Sequence, residues 1–138
     1  MPRESISITL EESAEFLAAQ DWVVLATLEP DGSPWADVVP SVMHDGRLFF
    51  RVLANSRSGR NIRRDARVCC TQDQNPSYYE IKGVIVHGVA QALPSDAIPP
   101  ELVVRTDPLR PNEPPSGDCY SIELTDVASF DFRKIKAR

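Results

Sequence analysis

Apolar alternation along the chain is repeatedly cut by turn signals, which divides it into short extended segments with a helix before and a helix among them. Thr9-Leu10-Glu11-Glu12 reads as a capping box, the Thr9 hydroxyl accepting from the first turn while Glu12 reaches back. The helix it starts sets Leu10, Ala14, Phe16 and Leu17 on one apolar face and ends near Gln20. Trp22 to Glu29 is apolar and partly β-branched, the pattern of a strand. Pro30-Asp31-Gly32-Ser33 is a turn, and Pro34 to Met43 returns as a second strand in which Pro40 predicts an edge or a bulge. Asp45-Gly46, within His44 to Arg47, closes another hairpin before a third strand, Leu48 to Leu53.

The period then changes. Asn55 to Asp65 predicts a short helix capped by Ser56 or Ser58, with Ile62 and Ala66 toward the core. Arg57, Arg60, Asn61 and Arg64 line up on it at spacings of three and four. Val68 to Gln72 is a strand, and Tyr78 to Leu93 is a long one or a pair bent around Gly83 and Gly88. Residues 94–115 hold seven of the twelve prolines and predict an irregular excursion with at most a short helix near Glu101 to Arg105. Tyr120 to Leu124 and Val127 to Arg133 complete the strands, and the basic tail from Lys134 is expected to fray. Hairpin-linked strands without a βαβ rhythm point to a mainly β (α+β) fold. The expectation is a single domain over 1–138, an antiparallel barrel of six to eight strands with a few short flanking helices.

Composition changes this picture little and charge changes it more. The chain is 42% hydrophobic and 25% charged, an ordinary globular balance. Its apolar runs are too short to span a bilayer, and Met1 to Ser7 lacks an export signal, so no membrane partner is expected. Cys69, Cys70 and Cys119 are odd in number and two are adjacent, which argues against a disulfide framework and for the cytoplasm. The net charge is −5, yet Arg51 to Arg67 carries six arginines against the one acid Asp65. An acidic body is a poor nucleic-acid binder, whereas a compact basic patch on it suits a small anionic ligand.

The candidate for that ligand is the segment from Arg51 to Asn61. Free N–H groups at a helix start form an anion site, and Ser56, Arg57, Ser58, Arg60 and Asn61 add hydroxyl, guanidinium and amide donors. A solvated helix face with its arginines paired to acids competes with this reading, and Arg63, Arg64 and Arg67 fit it better. His44 falls in a turn. His87 is a possible haem ligand, though a lone strand histidine is more often structural. Cys69 and Cys70 lack the second pair a zinc site needs, so no metal site is expected. Rossmann, P-loop, zincin and nucleophile-elbow motifs are absent from the sequence.

Three stretches together resemble a known family. VVLATLEPDGSPWADVVPSVMHDGRLFFRV (Val23 to Val52), SRSGRNIRRDARVCC (Ser56 to Cys70) and GVIVHGVAQAL (Gly83 to Leu93) follow the order and spacing of the pyridoxamine 5′-phosphate oxidase-like flavin-binding split barrels. The resemblance implies a split barrel forming a homodimer, with FMN or a deazaflavin (coenzyme F420) held between subunits beside a small-molecule substrate. It implies that Ser56, Arg57 and Ser58 match the phosphate grip, and Asn61 the asparagine of that helix. Val38, Val39 and Pro40 would then lie against the ring, and Phe50 and Arg51 beneath the ribityl phosphate. The chain departs from the family in having Ser58 where the grip has lysine. It also lacks the oxidase's arginine near Asp37, its lysine near Val42 and its glutamine near Gly83, so turnover of pyridoxine phosphate is not expected. Trp35, Tyr78 and Tyr79 are candidate walls of the substrate face, with core or dimer packing as their other reading. The implied activity is that of a flavin-dependent oxidoreductase; the alternatives are a deazaflavin-dependent reductase and a non-catalytic flavin- or haem-binding module.

Overall fold

The computed structural model of the protein describes residues 7–77, 80–131 and 133. Tyr78, Tyr79 and the tail from Lys134 lie outside the described residues. Helix α1 (Leu10–Ala18) begins with the predicted capping box: Glu12 N–H donates to Thr9 Oγ1 at 3.0 Å and Thr9 N–H to Glu12 Oε1 at 3.4 Å. Its buried residues are Ser13, Phe16 and Leu17. Leu10, expected on the same face, is 56% exposed, because the helix meets the sheet only from its second turn onward.

Eight strands follow: β1 (Trp22–Leu28), β2 (Pro34–His44), β3 (Arg47–Val52), β4 (Arg67–Gln74), β5 (Lys82–Val89), β6 (Gln91–Ala92), β7 (Asp118–Glu123) and β8 (Asp126–Asp131). Helix α2 (Arg57–Arg64) lies between β3 and β4, and α3 (Pro100–Val104) sits inside the proline-rich excursion. The sheet order is β6-β7-β3-β2-β1-β4-β5-β8, and every pairing is antiparallel. The β2–β3 hairpin turns on Asp45 (φ 50°) and Gly46 (φ 74°), the double positive-φ geometry that Asp-Gly accommodates. The predicted long strand from Tyr78 breaks after Val89 rather than at a glycine. There Ala90 N–H leaves the ladder for Ala66 O at 2.8 Å.

Pro40 ends an edge stretch and makes no bulge. β2 pairs only with β1 from Pro34 to Pro40 and with β3 from Ser41 to His44, so the strand changes partner at this residue. Ser41 N–H points back to Asp21 O at 3.1 Å. By alternation the missing N–H of Pro40 falls on the opposite side, just short of the first β3 pair, where the ladder needs no donor.

Inward positions fill one core, including Leu17, Val23, Leu25, Phe50, Val86 and Ile122. The sheet curls enough that Gly88 of β5 lies against Ile122 of β7. Outward positions on β2, β3 and β7 form a second cluster: Val42, Phe49 and Cys119, closed by Leu102 of α3. The excursion therefore roofs one outer face of the barrel.

Candidate functional site

The start of α2 meets β2 at one end of the barrel. Ser56 is the N-cap; its hydroxyl accepts from Gly59 N–H at 3.0 Å and donates to Leu53 O at 2.6 Å. Gly59 is required by this close approach, since a Cβ there would collide with the carbonyl oxygens of Leu53 and Ala54. The N–H groups of Arg57 and Ser58, in the first turn, find no partner among the described residues. Two open hollows of about 500 Å³ flank this point. One is lined by Glu29, Ser33, Trp35 and Arg57, the other by Asn55, Ser56, Arg110 and Gly117.

β2 contributes an open backbone edge. From Pro34 to Pro40 only its β1 side is paired, so the N–H and C=O groups of Ala36 and Val38 face away from β1, where β3 has not yet begun. The Val38 N–H is taken up by its neighbour's carboxylate, Asp37 Oδ1, at 2.9 Å. Asp37 Oδ2 in turn accepts from the fully buried Ser58 hydroxyl at 3.4 Å. One carboxylate thus joins the open strand edge to the helix start.

The predicted arginines are largely engaged within the chain. Arg57 Nε lies 3.0 Å from Glu29 Oε1, and its guanidinium stacks 4.3 Å above the Trp35 ring. Arg60 donates to Asn55 O at 2.7 Å, and Arg63 to Ala54 O at 2.8 Å. Arg64 reaches Asn61 Oδ1 and Leu28 O. Hydrogen bonds from the Arg67 side chain and backbone hold the Asp65 carboxyl down to about 2. Asn61, expected on the donor face, is buried and donates to Thr27 Oγ1 at 3.1 Å, so it fixes α2 against β1.

Phe50 and Arg51 are placed apart from the helix start. Phe50 is a core residue stacked on Tyr120 at 5.9 Å. Arg51 points to the opposite face and is 5% exposed. It donates to Leu102 O and Arg105 O, both at 2.5 Å, and to Ser116 O at 3.2 Å. Burial lowers its pKa, and nearby Cys119 and Asp107 partly oppose that effect. Val39 and Pro40 are buried and Val38 is half-buried, so the backbone edge is what this stretch offers a ligand.

Residue-type reasoning missed Glu29 and Asp37. The available signal was an acid inside the apolar run Ala36-Asp37-Val38-Val39, where a strand facing only core and solvent has no use for one. His87 is exposed on the outer face, opposite Cys69 and Asp126 in the strand register. Among the described residues no group of three or more His, Cys, Asp or Glu could hold a metal ion, and no helix is long and apolar enough to cross a membrane.

Comparison with known proteins agrees with the architecture. No curated protein matches the sequence. A conserved hypothetical protein of Mycobacterium tuberculosis superposes with a TM-score of 0.74 at 24% identity, over 99% of this chain and 92% of its own. An FAD-binding protein of Mycobacterium smegmatis gives 0.66 at 15% identity, over 92% and 99%. A heme-binding protein of the same organism gives 0.67 at 19% identity, over 99% of this chain and 62% of its own. At such identities the likeness is one of fold. The family model described as pyridoxamine 5′-phosphate oxidase matches residues 9–118, most of the barrel and both sides of the site, and the chain belongs to that family.

Proposed function

We propose that the protein binds a flavin-type coenzyme where α2 meets β2, and that it acts as an oxidoreductase on a small organic substrate. The observation that supports this reading best is the pairing of an open strand edge with a helix start whose N–H groups are free. The backbone of Val38, Val39 and Pro40 would meet the polar edge of the ring. The first turn of α2, with Ser56, Arg57 and Ser58, would face the tail. Arg60 and Asn61 hold α2 in place, while Phe50 in the core and Arg51 under α3 have structural parts away from the coenzyme. Such a coenzyme supplies the hydride chemistry itself, and the chain's part is to bind and orient it and to exclude water. Trp35 walls the hollow beside Arg57. FMN is the first coenzyme to test. Coenzyme F420 is the second, favoured by Ser58 standing where the family has lysine.

The same reading has the protein working as a homodimer. The outer face of β1, β4 and β5 mixes Val24, Ala26, Leu28, Ile85 and Val89, the last 63% exposed, with Arg67, Cys69, Thr71 and His87, and among the described residues no element roofs it as α3 roofs the other side. A second copy is the commonest cover for such a face. Denaturing the purified protein and identifying what it releases, by absorbance and mass, tests the coenzyme. A flavin or deazaflavin chromophore is expected. A haem spectrum, or failure to take up any of FMN, FAD and F420 in titration, overturns the reading. Reduction of the bound coenzyme by NAD(P)H distinguishes an oxidoreductase from a storage or sensing module.

A further inference from the structure

We infer that Asp37 and Glu29 make this site select against a coenzyme whose tail ends in a doubly charged phosphate monoester. They leave it suited to a flavin or deazaflavin with a phosphodiester-linked tail. The inference rests on the flavin-type reading above and concerns the charge the site accepts. Asp37 is an internal anion at the point where an external one would arrive: its two oxygens already take the Val38 N–H at 2.9 Å and the Ser58 hydroxyl at 3.4 Å. Glu29 neutralises Arg57 at 3.0 Å, and the Trp35 ring fixes that guanidinium from its other side. Among the described residues Arg60 and Arg64 of this helix have no carboxylate bonded to them; Arg60 is bonded back to Asn55 O, and Arg64 to Asn61 Oδ1 and Leu28 O. Glu29 therefore offsets Arg57, and Asp37 adds a second negative charge beside the helix start, where six arginines in sequence suggested a strongly basic patch.

A terminal monoester carries close to two negative charges at neutral pH and needs matching cations. A phosphodiester carries one charge per phosphate, spread along a longer tail, and two free backbone N–H groups with hydroxyl donors can meet it. Ser58 sharpens the contrast. It is fully buried, so it can donate to Asp37 or to a ligand, but it brings no charge of its own.

The test is equilibrium binding of riboflavin, FMN and FAD to the full chain, by quenching of flavin fluorescence, in wild type, Asp37→Asn and Glu29→Gln. Wild type is expected to bind FMN no more tightly than riboflavin, and FAD at least tenfold more tightly than FMN. Asp37→Asn keeps the size of the side chain and one acceptor oxygen for the Val38 N–H, while its amide N–H can donate to the Ser58 hydroxyl. It should raise FMN affinity about tenfold while riboflavin affinity stays within twofold. Glu29→Gln, which frees Arg57, should act in the same direction and serves as the second variant if the first is poorly folded. FMN already binding tenfold better than riboflavin in wild type, or an FMN-to-riboflavin ratio unmoved in both variants, overturns this inference and leaves the flavin reading standing. Absence of binding by all three compounds and by F420 in every protein overturns both.

Discussion

The two outer faces of the barrel obey one alternation rule and end in opposite states. On β2, β3 and β7 the outward residues Val42, Phe49 and Cys119 lie beneath Leu102, and Arg51 ties the excursion down through three of its carbonyls. Arg105 adds a bond to Ser41 O at 2.5 Å. On β1, β4 and β5 the outward Val24, Ala26, Leu28, Ile85 and Val89 are mixed with Arg67, Thr71, Asp73 and His87, and among the described residues nothing lies over them. The difference shows that an apolar outward position specifies a need for cover and not its source. The roof over one face came from the proline-rich segment because a buried arginine could satisfy backbone groups that an irregular loop leaves open.

The largest effect is expected from breaking the roofed face. Arg51→Met keeps the stem but leaves three carbonyls without their donor, and should destabilise the fold by about 3 kcal/mol in urea unfolding. Cys119 should become reactive to a thiol reagent in that variant, and unchanged stability with a protected Cys119 would show that Arg51 does not hold the roof. Next comes the inward side of β4. Complete burial raises the Cys70 thiol far above its ordinary 9.0. Because the folded pKa is the higher one, its contribution is fully present below pH 9 and is lost as pH climbs toward the folded value. Stability should fall by about 1.4 kcal/mol per unit above pH 9, and Cys70→Ala should flatten that slope.

Breaking the bare face should leave the monomer almost untouched. Val89→Lys is expected to change stability by less than about 0.5 kcal/mol while converting a dimer to a monomer by light scattering. A monomeric wild type at micromolar concentration would remove the second copy as the cover. The smallest signal is a labelling rate. Cys69 is half-buried on that same face, and burial also raises its thiol. If a second copy covers this face, Cys69 should react more slowly in the wild type than in Val89→Lys, and equal rates would mean that a second copy does not cover it.

What the sequence made legible was whatever depends on neighbours in the chain. Thr9 with Glu12, Asp45 with Gly46, and a serine cap on α2, read as Ser56 or Ser58 and found at Ser56, are fixed by residues within four positions. The order of strands and the irregularity of the excursion followed from turn signals and prolines in the same way. Contacts made over long separations were not legible. Arg51 reads as a strand cation until the carbonyls of Leu102, Arg105 and Ser116 fold onto it. Asn61 reads as a surface amide until Thr27, 34 positions away, faces it. The arginine-rich helix looked more basic than it is because Glu29 and Asp37 arrive from a hairpin whose composition gives no hint of where it will dock.

Strand β2 serves two partners in succession, and this ties the molecule into one thermodynamic unit. Neither set of strands can separate from the rest without pulling β2 out of both ladders, so the barrel should melt in a single transition with no half-unfolded plateau. A ligand settling along Ala36 to Pro40 would stiffen that shared strand, and its binding energy would be felt by the whole barrel as a rise in melting temperature.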